Sequence, residues 1–154
     1  MPTVGRDKAI ERAVTLFGNG LACSEAVLMA AAEFLDIQSD IVPKIASGFG
    51  GGIGRSGSTC GALSGAIMSL GLKYGRNKPD ETEAYEMCIR KSSELSAWFK
   101  KEMGSTSCYD LIQCDMSTAE GRKRWRELGL REERCSKYVR DSMRTLLNLL
   151  DNSY

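Results

Sequence analysis

The chain has no histidine. That absence removes Ser-His and Cys-His nucleophiles and every histidine metal ligand. Charge of one sign is also missing: 21 Lys and Arg face 20 Asp and Glu, a net charge of +1. Such a balance gives no footprint for nucleic acid or a membrane surface. No apolar run of spanning length exists. The most apolar stretch, Leu21 to Leu35, carries Glu25 and Glu33 and is too short to cross a bilayer. The opening MPTVGRDKAIERAV has no signal-type apolar core, so a cytoplasmic protein without membrane insertion is expected. No segment alternates with period two, and no repeat or low-complexity tract is found.

What is present is a succession of helical stripes over 154 residues, the length of one domain. Ile10, Ala13, Val14 and Phe17 share one helix face, closed by Gly18-Asn19-Gly20. Val27, Ala30, Ala31 and Phe34 repeat the pattern. A short helix is expected over Asp40 to Ala46. Another carries Leu63, Ala66, Ile67 and Leu70 and closes near Gly71 and Gly75. A longer one places Tyr85, Cys88, Ser92, Leu95 and Phe99 on one face, up to Gly104. Ser107-x-x-Asp110 and Ser117-x-x-Glu120 read as capping boxes that open two short helices. A last helix carries Val139, Met143, Leu146, Leu147 and Leu150. The expectation is one all-α domain, residues 1–154, of six to eight helices with a single glycine-rich loop from Gly48 to Gly61.

That loop holds the main question. Gly52-Ile-Gly-Arg-Ser-Gly57-Ser58-Thr59 has the spacing of a phosphate-binding P-loop. Ser58, however, stands where the motif needs its lysine, and no buried strand precedes it. A thiol-presenting loop fits better. Cys60 lies where the loop meets a helix, so its sulfur faces the positive helix end and unpaired amides, which favour a thiolate. Arg55 adds positive charge, and Cys60 is therefore expected to be the most acidic and reactive thiol. Gly50, Gly51, Gly52, Gly54, Gly61 and Gly65 are the expected close-approach backbone around the centre.

Six cysteines occur: Cys23, Cys60, Cys88, Cys108, Cys114 and Cys135. Without a secretion signal they are read as metal-binding, redox-active or buried rather than as a structural disulfide framework. Cys23, Cys60 and Cys108 fall at expected helix N-termini, and Cys135 lies near the start of the last helix. Cys88 is mid-helix and is read as core. Cys114 fits either role.

The Cys60-Gly61-Ala62-Leu63-Ser64-Gly65 signature resembles the CGAxxG motif of the redox-active proteins labelled C-GCAxxG-C-C. Their other hallmark cysteines match Cys23 in CSEAVL, Cys108 in GSTSCYDLI and Cys135 in CSKYV. The preceding FGGGIGRSGST is similar as well, and the resemblance covers roughly residues 6 to 150. It implies a small helical protein, often associated with transporter genes. A related domain accompanies an iron–sulfur centre in split-Soret-type cytochromes. This chain has no C-x-x-C-H motif, so haem attachment is not expected.

Three functions remain open from these residues. Cys23, Cys60, Cys108 and Cys135 are the expected catalytic or metal-ligating set, holding an iron–sulfur cluster or zinc. Alternatively they form a dithiol/disulfide couple with no metal, Cys60 attacking and another resolving. In the third reading the chain is a non-catalytic interaction module linked to transport, with structural cysteines. The absence of any C-x-x-C pair argues against a zinc ribbon, a ferredoxin or a thioredoxin-like site. The partner is an unidentified redox or transport component, and a homodimer is expected. Acidic positions such as Glu25, Glu33 and Glu81-x-Glu83-x-x-Glu86, and the basic run Gly121 to Arg126, read as solvated helix faces. Trp98-Phe99 and Trp125 read as core or interface anchors.

Overall fold

A computed structural model describes residues 3–151; residues 1, 2 and 152–154, part of the single-domain reading, lie outside the described residues. Among the described residues seven α-helices follow one another: α1 Thr3–Gly18, α2 Cys23–Phe34, α3 Gly61–Tyr74, α4 Thr82–Met103, α5 Cys108–Ile112, α6 Ala119–Glu127 and α7 Ser136–Asp151. A 3₁₀ turn, Lys44–Phe49, lies between α2 and α3, and a π-helical turn, Arg131–Cys135, feeds α7. The all-α expectation holds: among the described residues there is no strand, only an isolated antiparallel bridge between Thr59 and Ser107. No described helix is long and apolar enough to cross a membrane.

The core forms where the stripes meet. Ala13, Val27, Ala31, Leu63, Ala66, Leu70, Phe99, Met143 and Leu147 are essentially fully buried. The expected α7 stripe of Val139, Met143, Leu146, Leu147 and Leu150 is buried throughout. Its period of 3.6 leaves only one face that can be covered. α2 crosses α3 closely because Gly65 has no side chain: a β-carbon there would lie 2.5 Å from the Ser24 carbonyl oxygen.

Three local expectations are corrected. The short helix expected over Asp40 to Ala46 lies further on, as the 3₁₀ turn Lys44–Phe49. Pro43 disfavours α-helical backbone at Val42 before it. The α6 cap is Thr118, whose hydroxyl accepts from the Gly121 N–H at 2.9 Å. Ser117 instead lies in the preceding turn, where its N–H and hydroxyl both donate to Asp115. α3 runs through Gly71 to Tyr74 and closes at Gly75, as expected.

On α4 the buried face is Lys91, Leu95 and Phe99, while Tyr85 is exposed and Cys88 is half-buried outside the core. Lys91, not Ser92, continues the buried face one turn before Leu95. Its stem fills core space, and its ammonium donates to the Leu149 carbonyl at 2.9 Å and lies over the Tyr74 ring. Lys73 and Tyr74 also donate to the carbonyls at the end of α7. These donors satisfy carbonyls that a helix C-terminus leaves unpaired.

Candidate functional site

The glycine-rich loop is built from backbone bonds. Residues 51 to 55 all have positive φ, including Ile53 at 65° and Arg55 at 64°. The resulting left-handed coil is tied by the amides of Gly54, Arg55, Gly57 and Ser58, which donate to the carbonyls of Gly48, Gly50, Gly51 and Gly52. A β-branched residue in this region costs on the order of 1–2 kcal/mol, so the rest of the fold holds Ile53 there.

The loop then pairs with the segment before α5. The Cys60 N–H donates to the Thr106 carbonyl at 2.8 Å, and the Cys108 N–H donates to the Ser58 carbonyl at 2.6 Å. Ser107 caps α5 and also donates its hydroxyl to the Gly57 carbonyl. The bridge thus sets the start of α3 beside the start of α5. Gly52 permits this approach, since a β-carbon there would lie 2.6 Å from Cys108 Cβ.

The four hallmark cysteines come together. Cys23, Cys60, Cys108 and Cys135 line one cavity of about 30 Å3, closed by Gly61, Leu111, Ile112 and Tyr138. Cys88 is not part of it. Cys114 is buried in the core on the chain leaving α5.

Two helix N-termini aim at one sulfur. Cys23 is the first residue of α2, and Cys60 caps α3. The Cys60 thiol shares a small cavity with Cys23, and the backbone at Ser24 and Ala62 adjoins the Cys23 sulfur. These neighbours hold the Cys23 thiol below its ordinary range despite burial, because each favours the thiolate over the thiol.

Cys60 moves the other way. Beside Cys23, and only 6% exposed, it is held as a thiol well above the ordinary range. The expectation that Cys60 is the most acidic thiol is therefore corrected. Burial and the neighbouring thiolate outweigh the helix end, and the helix dipole acts on Cys23 instead. Burial pushes Cys108 up to about 12, with the Cys23 charge adding to it. It likewise pushes Cys135 up to about 11. The buried Trp125 N–H closes no hydrogen bond of normal geometry. It faces the Cys135 sulfur and partly offsets the burial there.

The expected glycines divide by role. Gly61 packs against Cys23 and Gly52 against Cys108. Gly50, Gly51 and Gly54 line an outer cleft of about 560 Å3 that reaches Cys23, Cys108 and Cys135. Gly65 serves the α2–α3 crossing away from the sulfurs. The basic run read as a solvated face also contributes: Arg122, Trp125 and Arg126 line the same cleft. Their spacing was the available signal, since Arg122 and Arg126 stand one turn apart with Trp125 between them.

The donor chemistry of four thiols suits a soft metal. The arrangement for a single ion does not fit as the side chains stand. Among the described residues no group of three Cys, Asp or Glu side chains is placed to hold a metal.

The fold and these contacts define a small all-α protein organised around clustered cysteines. The chain belongs to the C_GCAxxG_C_C family, described as "Putative redox-active protein", whose model matches residues 21–149. A protein of Archaeoglobus fulgidus, described as "Uncharacterized protein", is 30% identical over 130 residues, covering 79% of this chain and 86% of that one. No solved structure matches the chain.

Proposed function

We propose that the protein is a redox carrier in which Cys23 and Cys60 form a dithiol/disulfide couple. One observation carries this reading: Cys23 and Cys60 stand at two adjoining helix starts and line one small cavity, with Cys23 favoured as thiolate and Cys60 held protonated. That is the division of labour between an attacking and a resolving cysteine.

Cys23 keeps part of its surface on the cleft, so it attacks one sulfur of an acceptor disulfide. A mixed disulfide forms and the acceptor's other thiolate leaves. Cys60 gives its proton to that thiolate and attacks Cys23 Sγ. The Cys23–Cys60 bond forms, and the second acceptor thiolate departs and takes a proton from water. The pair loses two electrons and the acceptor gains them. The cavity walls Leu111, Ile112 and Tyr138 exclude water from the resolving step.

The test is a redox titration of the anaerobically purified protein in dithiothreitol buffers, with free thiols counted by mass tagging. Cys23 and Cys60 are expected to disappear together, and Cys23→Ser or Cys60→Ser to abolish the transition. Independent loss of the two, or no loss at all, would contradict the couple.

A second reading rests on the shared cavity of the four sulfurs. There, Cys23, Cys60, Cys108 and Cys135 would hold a sulfur-bridged iron centre, which would supply one-electron transfer. Stoichiometric iron and acid-labile sulfide in the same preparation would favour it over the dithiol.

A further inference from the structure

The outer cleft has a charge pattern that the dithiol chemistry does not use. Its lining includes four guanidiniums, Arg55, Arg122, Arg126 and Arg131, against a single carboxylate, Glu25. Two of the four are engaged by the protein. Arg122 donates to the Met116 carbonyl at 2.8 Å. Arg131 donates to the Leu21 and Phe17 carbonyls and lies over the Phe17 ring. Glu25 is engaged too, accepting from the Ala22 N–H at 2.7 Å and from the Ser47 hydroxyl.

Arg55 and Arg126 differ. Neither guanidinium has a hydrogen bond or ion pair with the described residues. They reach the cleft from separate elements, the left-handed coil and α6. Arg55 is held in the coil at φ 64°, a conformation that costs an ordinary side chain energy. Strain of this kind persists where the surrounding fold enforces it, commonly at ligand sites. Cys23 lies at the inner end of the same cleft.

We infer that this cleft binds a small anionic disulfide, with carboxylates received by Arg55 and Arg126 and its sulfur–sulfur bond presented to Cys23. The inference rests on the dithiol reading and names its co-substrate class. A cleft of about 560 Å3 suits a ligand of small-peptide size. Guanidiniums hold carboxylates in a planar two-point contact, which fixes orientation as well as attraction. The step is the exchange already described: the ligand disulfide is reduced to two thiols while Cys23 and Cys60 are oxidised to a disulfide.

The experiment uses the full-length, reduced, metal-free protein and three probes. These are dithiobis(nitrobenzoate), which carries two carboxylates; dithiodipyridine, which is neutral; and cystamine, which is cationic. Stopped-flow rates are measured for the native protein and for Arg55→Ala/Arg126→Ala, with the labelled residue located by mass spectrometry. Each probe serves as its own chemical reference, so intrinsic leaving-group differences cancel. The ratio of dicarboxylate to neutral rates at Cys23 is expected to fall on the order of tenfold in the double variant, and added salt should produce a similar fall in the native protein. The cationic probe is expected to gain relative to the neutral one. An unchanged ratio, with Cys23 still reacting with the neutral probe, overturns the anionic co-substrate and leaves the dithiol intact. Failure of Cys23 to react with any probe overturns both.

Discussion

Gly61 rests directly on the Cys23 sulfur: a β-carbon at Gly61 would lie 2.5 Å from Sγ. The first residue of α3 thereby touches the first residue of α2 at the point where both helix dipoles are positive. Gly61→Ala is expected to destabilise the reduced protein by about 1–3 kcal/mol, the usual cost of overpacking. Gly71→Ala supplies the contrast, because a β-carbon there meets nothing within 4 Å. It lies inside a helix, so it should stabilise by roughly 0.5–1 kcal/mol. Urea midpoints of the two variants check both signs.

Cys60→Ala removes the neighbour that most favours the Cys23 thiolate. The pH midpoint for iodoacetamide labelling of Cys23 should move upward, measured on reduced, metal-free protein by peptide mass spectrometry. In the native protein Cys23 should label faster than Cys60 at neutral pH. Equal rates for the two, or no shift in the variant, would remove the asymmetry on which the mechanism depends.

Alkaline pH should weaken the reduced fold. Cys108 and Cys135 rise from an ordinary 9.0 to about 12 and about 11 on folding, and Cys60 rises as well. Groups raised in this way contribute stability that is fully present below the unfolded value. It is lost as pH climbs from about 9 through the folded values. Cys23 acts oppositely, its contribution fading as pH falls through its lowered value. Three raised groups outnumber one lowered group, so the thermal midpoint should decline above pH ~9. Alkylated or Cys→Ser controls should show a smaller decline.

The legible and illegible parts of this protein separate by range. The α7 face from Val139 to Leu150 and the cap at Ser107 depend on residues within a few positions, and both stand as expected. The four hallmark cysteines were legible as a set from the motif around Cys60. Their pairing was not. The Cys60–Thr106 and Cys108–Ser58 bonds join loop to loop across distant sequence, with no local pattern to announce them. Cys60 sits at a helix end, as the sequence implies. Yet its acidity is decided by burial and by Cys23, which only the packed structure reveals. The burial of Lys91 is illegible for a related reason: a charged residue enters the core when its ammonium finds a helix-terminal carbonyl.

The left-handed coil makes a prediction of its own. Ile53→Gly keeps the backbone path and relieves a branched side chain at φ 65°. It should stabilise by about 1 kcal/mol in urea unfolding. Gly52→Ala should destabilise, since its β-carbon would also lie 2.7 Å from the Ser58 backbone. A neutral or harmful Ile53→Gly would mean that Ile53 contributes packing larger than its strain.

The most direct measurement is a non-reducing peptide map of the protein after oxidation by a small disulfide and quenching with acid. The account predicts one dominant cross-link, between the peptides bearing Cys23 and Cys60, with Cys108 and Cys135 recovered as free thiols. A dominant Cys108–Cys135 link, or four free thiols after exhaustive oxidation, would contradict it.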